Sequence, residues 1–421
     1  MSGIGPLLGL LVLAYVGSML VSGRTIRGFG LPSGAEYLVL GVVIGPHALG
    51  VLTRSTITTF EPIFVLGASW LALVAGIGYG VVGQRRIHPG RALFGVLTAA
   101  GVGAAVAAVL YYVFGALGVF SGGDRFRAAL AAGIVVSETT RHSVRWVVER
   151  YGARGPVSDW VADMARASAL VPLVGLGWLM ASAPSPLLEG TSWERLGVTL
   201  AIGAVLGLVA AVLLGREFRR DESWGLLLGT SVLAAGLSAK MGLSSMATLF
   251  VMGLTLAVVS RHRLEIKFMV QESEKPVMLP IVLAAGASIA LHGTPKIGWI
   301  VAAALAARLG VELLRGLLLA VVVPPVRAAW TEVGFGMSST GALALAAAFT
   351  LHVRSPGALT DVVLVIAAGS VLLGEAVGPA MLRRAIARTG EAHADGASAA
   401  SPISIRPSRA LVSEYPPEAS P

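Results

Sequence analysis

Apolar residues in this chain gather in long, nearly unbroken runs, not in the alternation of half-buried strands or the three-and-four spacing of soluble helices. The runs lie near 4–22, 35–52, 62–83, 92–119, 127–149, 158–182, 196–215, 223–239, 243–260, 276–292, 297–323, 331–352 and 360–382. Most approach the ~20 residues that cross a hydrocarbon core, and short polar connections separate them. The pattern predicts an all-α, polytopic membrane protein of about thirteen transmembrane helices. The first run has no basic stretch before it and reads as a span, not a removed leader. The end of the last run divides the chain into a transmembrane domain over 1–385 and a disordered cytoplasmic tail over 386–421, rich in Ala, Ser, Pro and charge.

The polar residues give an orientation. With spans taken alternately, one side collects eighteen lysines and arginines and the other seven. The positive-inside rule makes the richer side cytoplasmic, so the N-terminus is outside and the C-terminus inside. Composition then closes other routes. Hydrophobic residues are 55% and charged residues 13%, with a mean hydropathy of +0.79. That is far too little charge for a soluble surface. The net charge of +9 is spread over loops between apolar runs, which argues for a bilayer and against nucleic acid. Without cysteine there are no disulfides and no thiolate metal sites. Neither a metal cluster, a cofactor loop nor a nucleophile–base arrangement is legible, which points to a transporter and not an enzyme.

Charges inside apolar runs are costly and mark function. The fifth run carries Glu138, Arg141, His142, Arg145 and Glu149 at one-face spacing, with Ser137, Thr139 and Thr140 beside them. The alternative is an ion-pair ladder that only locks the helix. The sixth run holds Asp163 and Arg166, three apart, then Pro172 and Gly175. The eleventh holds Arg308, Glu312 and Arg315, either self-paired or partnered with the fifth and sixth. The twelfth contains Gly334, Gly336, Ser338, Ser339, Thr340 and Gly341, which read as a break in a helix. Transporters place such breaks at corresponding positions of two inverted halves, and the fifth and twelfth runs are the candidate pair. The competing reading of the small residues is close helix packing. His47 reads as a helix-end residue, and Glu375 as a hydrogen-bonding partner within the last run.

Four segments carry a resemblance. Leu31 to Leu52, Gly242 to Gly253, Pro280 to Gly286 and Gly374 to Pro379 resemble, in order, signatures of the monovalent cation:proton antiporter (sodium/hydrogen exchanger) superfamily. The resemblance implies an inverted-repeat fold with two broken helices crossing at the midplane, a mobile core, a homodimer in the inner membrane, and exchange of sodium or potassium for protons. It also implies an acid in the sixth run that alternates between proton and cation. Here Ala165, Arg166 and Ala167 stand in its place, and the nearest acid is Asp163. The expected ion- and proton-binding set is therefore Asp163, Glu138, Ser137, Thr139, Thr140, Ser338, Ser339 and Thr340, with Arg166, Arg308 and Arg141 compensating charge. Two alternatives stay open: a small anion as substrate, because arginines outnumber acids, or a transport-inactive sensor or partner protein.

Overall fold

The computed structural model describes residues 34–80, 87–185, 187–215, 220–289 and 296–392. The predicted first span and the tail beyond residue 392 lie outside them. Among the described residues the apolar runs are mostly helical. The order is α1 (Ala35–Ile44), the short α2 (Arg54–Thr59), α3 (Glu61–Gly80), α4 (Pro89–Leu117), α5 (Gly122–Val136), α6 (Arg141–Arg150), α7 (Pro156–Ser168) and α8 (Leu170–Ala181). Then come α9 (Ser192–Leu214), α10 (Arg220–Lys240), α11 (Ser245–Val259), α12 (Arg263–Ala287) and α13 (Lys296–Val322). A 3-10 turn (Pro324–Ala329) leads to α14 (Trp330–Gly336), α15 (Ala342–Arg354) and α16 (Ala358–Arg388). Among the described residues six spans are long and apolar enough to cross a membrane, one of them α7 and α8 taken together over Pro156–Ala181.

Local chemistry sets the ends. α4 begins with proline at its first position and stops at Gly118, whose left-handed φ of 62° lets the last carbonyls be taken by Gly118 and Val119. α9 opens with a reciprocal Thr191–Glu194 capping box. α7 and α8 are nearly one helix, interrupted at Ala169 because Pro172 has no N–H for the Ser168 carbonyl. Three predicted boundaries move. The second run is helical only over Ala35–Ile44. α12 starts well before its apolar run, so Lys267 and Lys275, expected in a loop, are helical. α16 runs three residues past the predicted domain boundary at 385, and Thr389 to Glu391 follow in place.

The helices pack as two groups. α1, α3, α9, α10, α11 and α12 form one, with α3 and α11 packed most tightly. A Cβ on Gly76 would overlap the Phe250 carbonyl oxygen, and one on Gly253 would overlap that of Leu73, so the two backbones touch. The other group is α4 to α8 with α13 to α16. It contains two similar triplets: a long helix, a helix interrupted midway, and a third helix. α4, α5/α6 and α7/α8 make the first, and α13, α14/α15 and α16 the second. Corresponding members lie seven runs apart, so in a chain that crosses at every run they point in opposite directions. That is the layout expected of inverted repeats. Large apolar side chains such as Leu97, Tyr112, Val212, Val258, Trp299 and Val321 point outward, as a lipid-facing surface requires.

Candidate functional site

The two interruptions meet. α5 ends at Val136 and α6 begins at Arg141; α14 ends at Gly336 and α15 begins at Ala342. The intervening residues are mostly Ser and Thr, whose short hydroxyl side chains compete with the helical ladder. They do so in the same way twice: Ser137 Oγ donates to the Ile134 carbonyl at 2.7 Å, and Ser338 Oγ to that of Phe335 at 2.7 Å. The segments then bind each other. The Thr140 N–H donates to the Ser339 carbonyl at 2.8 Å, and Thr139 Oγ1 to that of Met337 at 3.0 Å. α7 joins through Ser168, whose Oγ lies 3.1 Å from both the Thr139 nitrogen and its carbonyl oxygen. α16 closes the back: Ser339 Oγ donates to the Gly374 carbonyl at 3.1 Å, and a Cβ on Gly374 would sit 2.6 Å from the Ser338 oxygen.

Two arginines of α13 tie the breaks together. Arg308 donates to Thr340 Oγ1 and, at 2.9 Å, to the Glu138 carbonyl. Arg315 donates to Thr139 Oγ1 at 2.8 Å and lies 3.4 Å from Glu312. All three charged side chains are buried. Helix C-termini present partial negative charge, so guanidinium groups suit the carbonyl side of each break. Arg308, Glu312 and Arg315 are thus both self-paired and partnered with the fifth run.

Glu138 sits in the break itself and not on the face of α6. Its Oε2 accepts the Ala344 N–H at 2.9 Å, so the carboxylate caps α15, where the helix dipole favours negative charge. Its Oε1 has no hydrogen-bond partner among the described residues. The side chain lines a small enclosed space of about 20 Å³, shared with Arg141, His142, Ala165, Ala169 and Glu274. That volume holds about one water-sized particle. Beyond it lies a larger cavity of about 290 Å³, lined by residues of α6, α7 and α12. Arg141, His142 and Glu274 line both spaces and form the partition between them. Glu274 pairs with Arg141 and lies 3.2 Å from His142 Nε2.

The predicted residues separate into two groups. Glu138, Thr139, Thr140, Ser339, Thr340 and Arg308 converge at the crossing, with Ser137 and Ser338 at its edges. Their hydroxyls are engaged in building it: Thr140 Oγ1 also accepts the His142 N–H at 3.3 Å. Arg141 stands at the partition and Arg166 lines the large cavity. Asp163 does not join them. It is fully buried, but its Oδ2 lies 3.5 Å from Arg91 of α4, which also reaches Asp159 at 3.4 Å. The expected shared face of Asp163 and Arg166 is split, since a three-residue step still turns a helix by about 60° from register. Glu375 holds α6 by accepting from Ser143 Oγ at 2.5 Å. Two residues were missed. Glu274 stands among polar neighbours that read as a loop, although Lys267, Gln271 and Glu274 have helical spacing. Arg91 read as a loop charge.

No protein-family profile and no curated protein matches the chain. Among solved structures it is similar to the sodium proton antiporter MjNhaP1 from Methanocaldococcus jannaschii at pH 8, with 15% identity and a TM-score of 0.68. The match covers 93% of this chain and 99% of that one. An electron-microscopy structure of the same antiporter matches with 14% identity and a TM-score of 0.67, over 92% and 98% of the two chains. At that identity the likeness is one of fold, and over nearly its whole length the chain has the fold of a sodium/proton antiporter.

Proposed function

We propose that the protein exchanges a monovalent cation for protons, with Glu138 as the carboxylate that alternates between them. The observation that carries this reading is the position of Glu138: a buried side chain in the crossing of two interrupted helices that lines a space of single-ion size. A carboxylate there can take a proton or a desolvated cation but not both, which couples the two fluxes. Ser137, Thr139, Thr140, Ser338, Ser339 and Thr340 are the frame of the site, and Arg308 the fixed charge beside it. Asp163, held by Arg91, is left to a structural role. Arg166 lies on the approach.

The basic-residue bias makes the large cavity a cytoplasmic one, so this is the inward-facing arrangement, in an inner membrane with the N-terminus outside. A homodimer is part of the same reading, on the family resemblance. The test is flux in proteoliposomes. An imposed proton gradient should drive sodium or potassium uptake, and Glu138→Gln should abolish it while Asp163→Asn retains a measurable rate. Undiminished exchange in Glu138→Gln would overturn the assignment.

One observation favours a second reading, the transport of a small anion. Arg141, Arg145, Arg166 and Lys267 line the large cavity against only Glu149 and Glu274. Uptake of an anion under the same gradient, with no cation flux, would select it.

A further inference from the structure

Another cavity, of about 390 Å³, opens between the two helix groups at the end opposite the large one. The α1–α2 segment lines it with His47, Arg54 and Thr58, the end of α12 with Ser288, and α15 and α16 with His352 and Asp361. These residues adjoin the loops that the basic-residue bias puts outside. α12 borders this cavity at Ala287, and it borders the small space beside Glu138 at Met278, about 14 Å back along the helix. The stretches between, Ile281 to Ala285 on α12 and Leu345 to Phe349 on α15, are apolar and buried, so the cavity stops short of Glu138.

Each wall carries a histidine. On the α1–α2 side His47 Nε2 lies 3.3 Å from Arg54 Nη2. A guanidinium only donates, so that imidazole is neutral and accepts. On the other side His352 Nδ1 lies 3.0 Å from Asp361 Oδ1. Two further charges stand nearby: Arg354 of α15, which donates to the Leu243 carbonyl at 3.0 Å, and Glu61 of α3, which opposes it. α5, α8 and α12 also pack on α15 and place no titratable side chain in the described lining.

We propose that this cavity is a second proton-binding site, in which external protons taken up by His47 and His352 open the outer end of the cleft. With both rings neutral, Arg54 on one wall attracts Asp361 on the other and favours closure. Protonation gives each of them a different neighbour. The His352 imidazolium claims Asp361 in a charge-assisted pair within its own wall. The His47 imidazolium has no acceptor nitrogen left and repels Arg54. The attraction across the cavity is lost. The closed form is therefore favoured above the ordinary histidine range, around pH 6.5, and the open form below it. These groups are partly exposed, so the open population should change only about threefold to tenfold. An outer end that opens in acid admits protons where they are plentiful. That consequence rests on the cation-exchange reading; the site itself does not.

The chain has no cysteine, so Ser288→Cys puts a single thiol on the cavity wall. The full chain in proteoliposomes is treated from outside with a membrane-impermeant thiol reagent at about pH 5.5 and about pH 7.5, on either side of the histidine range. Each rate is divided by that of Leu187→Cys, an exposed position in an outer loop, which cancels the reagent's own pH dependence. The ratio should be about threefold to tenfold higher in acid. With His47→Gln and His352→Gln together it should stay at the low value at both pH values. With Asp361→Asn, which removes the attraction to Arg54, it should stay at the high value at both. If the double histidine variant does not fold, Asp361→Asn carries the test. No rise in the parent, the same rise in the double variant, or slow labelling of Asp361→Asn at neutral pH overturns the proposal. Labelling needs no flux, so a histidine-dependent rise in a protein that exchanges no cation retains this site and defeats the exchange reading.

Discussion

The Glu138 carboxylate closes the N-terminus of α15 by accepting the Ala344 backbone N–H at 2.9 Å. One side chain thus joins the first interrupted helix to the second, and the same group is the proposed proton carrier. Its structural and chemical duties are separable. Glu138→Gln keeps an oxygen for Ala344, so its stability should stay within about 1 kcal/mol of the parent. Glu138→Ala loses the cap and should cost about 2 kcal/mol, read as a lower melting temperature. Both should lose exchange. A glutamine variant as unstable as the alanine one would contradict the separation.

The Glu312–Arg315 pair is a buried charge pair inside the frame, with side chains 0% and 1% exposed. Removing one partner strands the other. Arg315→Met should cost about 3–5 kcal/mol, and adding Glu312→Leu should recover much of it. A double-mutant cycle in thermal melts measures the coupling. Additive effects would mean that Arg315 matters through Thr139 alone.

The partition of Arg141, His142 and Glu274 links α6 of one helix group to α12 of the other. If the interrupted helices move against α12 during exchange, this contact must break in each cycle. The chain has no cysteine, so an introduced pair is the only thiol target. His142→Cys with Glu274→Cys, bridged by a bifunctional thiol reagent, should stop flux, and a reductant should restore it. Transport at the parent rate in the bridged protein would rule out relative motion there.

Glu391 anchors the end of the described chain. Its carboxylate accepts from the N–H groups of Val157 and Ser158 at 2.7 and 2.8 Å and from Ser158 Oγ at 2.6 Å, at the N-terminus of α7. A Cβ on Gly155 would collide with it. Truncation after residue 392 should leave the melting temperature unchanged. Truncation after residue 389 should lower it by several degrees, since a buried cap of about 1–2 kcal/mol is lost with its packing.

These residues divide cleanly by what a sequence can express. The apolar runs were legible because lipid demands them, and the two breaks because Ser137–Thr140 and Ser338–Gly341 put hydroxyls and glycine where only leucine and alanine were expected. Arg308 and Arg315 stood out as charges in hydrocarbon. Partner choice was not legible. Asp163 and Arg166 share a spacing, yet one turns to Arg91 and the other to the cavity, because α4 packs on one side of α7 and the cavity opens on another. Glu274 was hidden by the polar residues around it, which look like a loop until α12 is known to extend below its apolar stretch. Glu391 looked like tail, since nothing in its neighbours shows the helix N-terminus that it caps.

The central claim is that one site, Glu138, exchanges a proton for a cation. It is tested most directly by proton release from the purified protein in weakly buffered detergent, followed with a pH dye as sodium or potassium chloride is added against a choline chloride control. The account predicts release of about one proton per chain at saturation, absent in Glu138→Gln. Equal release from Glu138→Gln, or none from the parent with either cation, would contradict it.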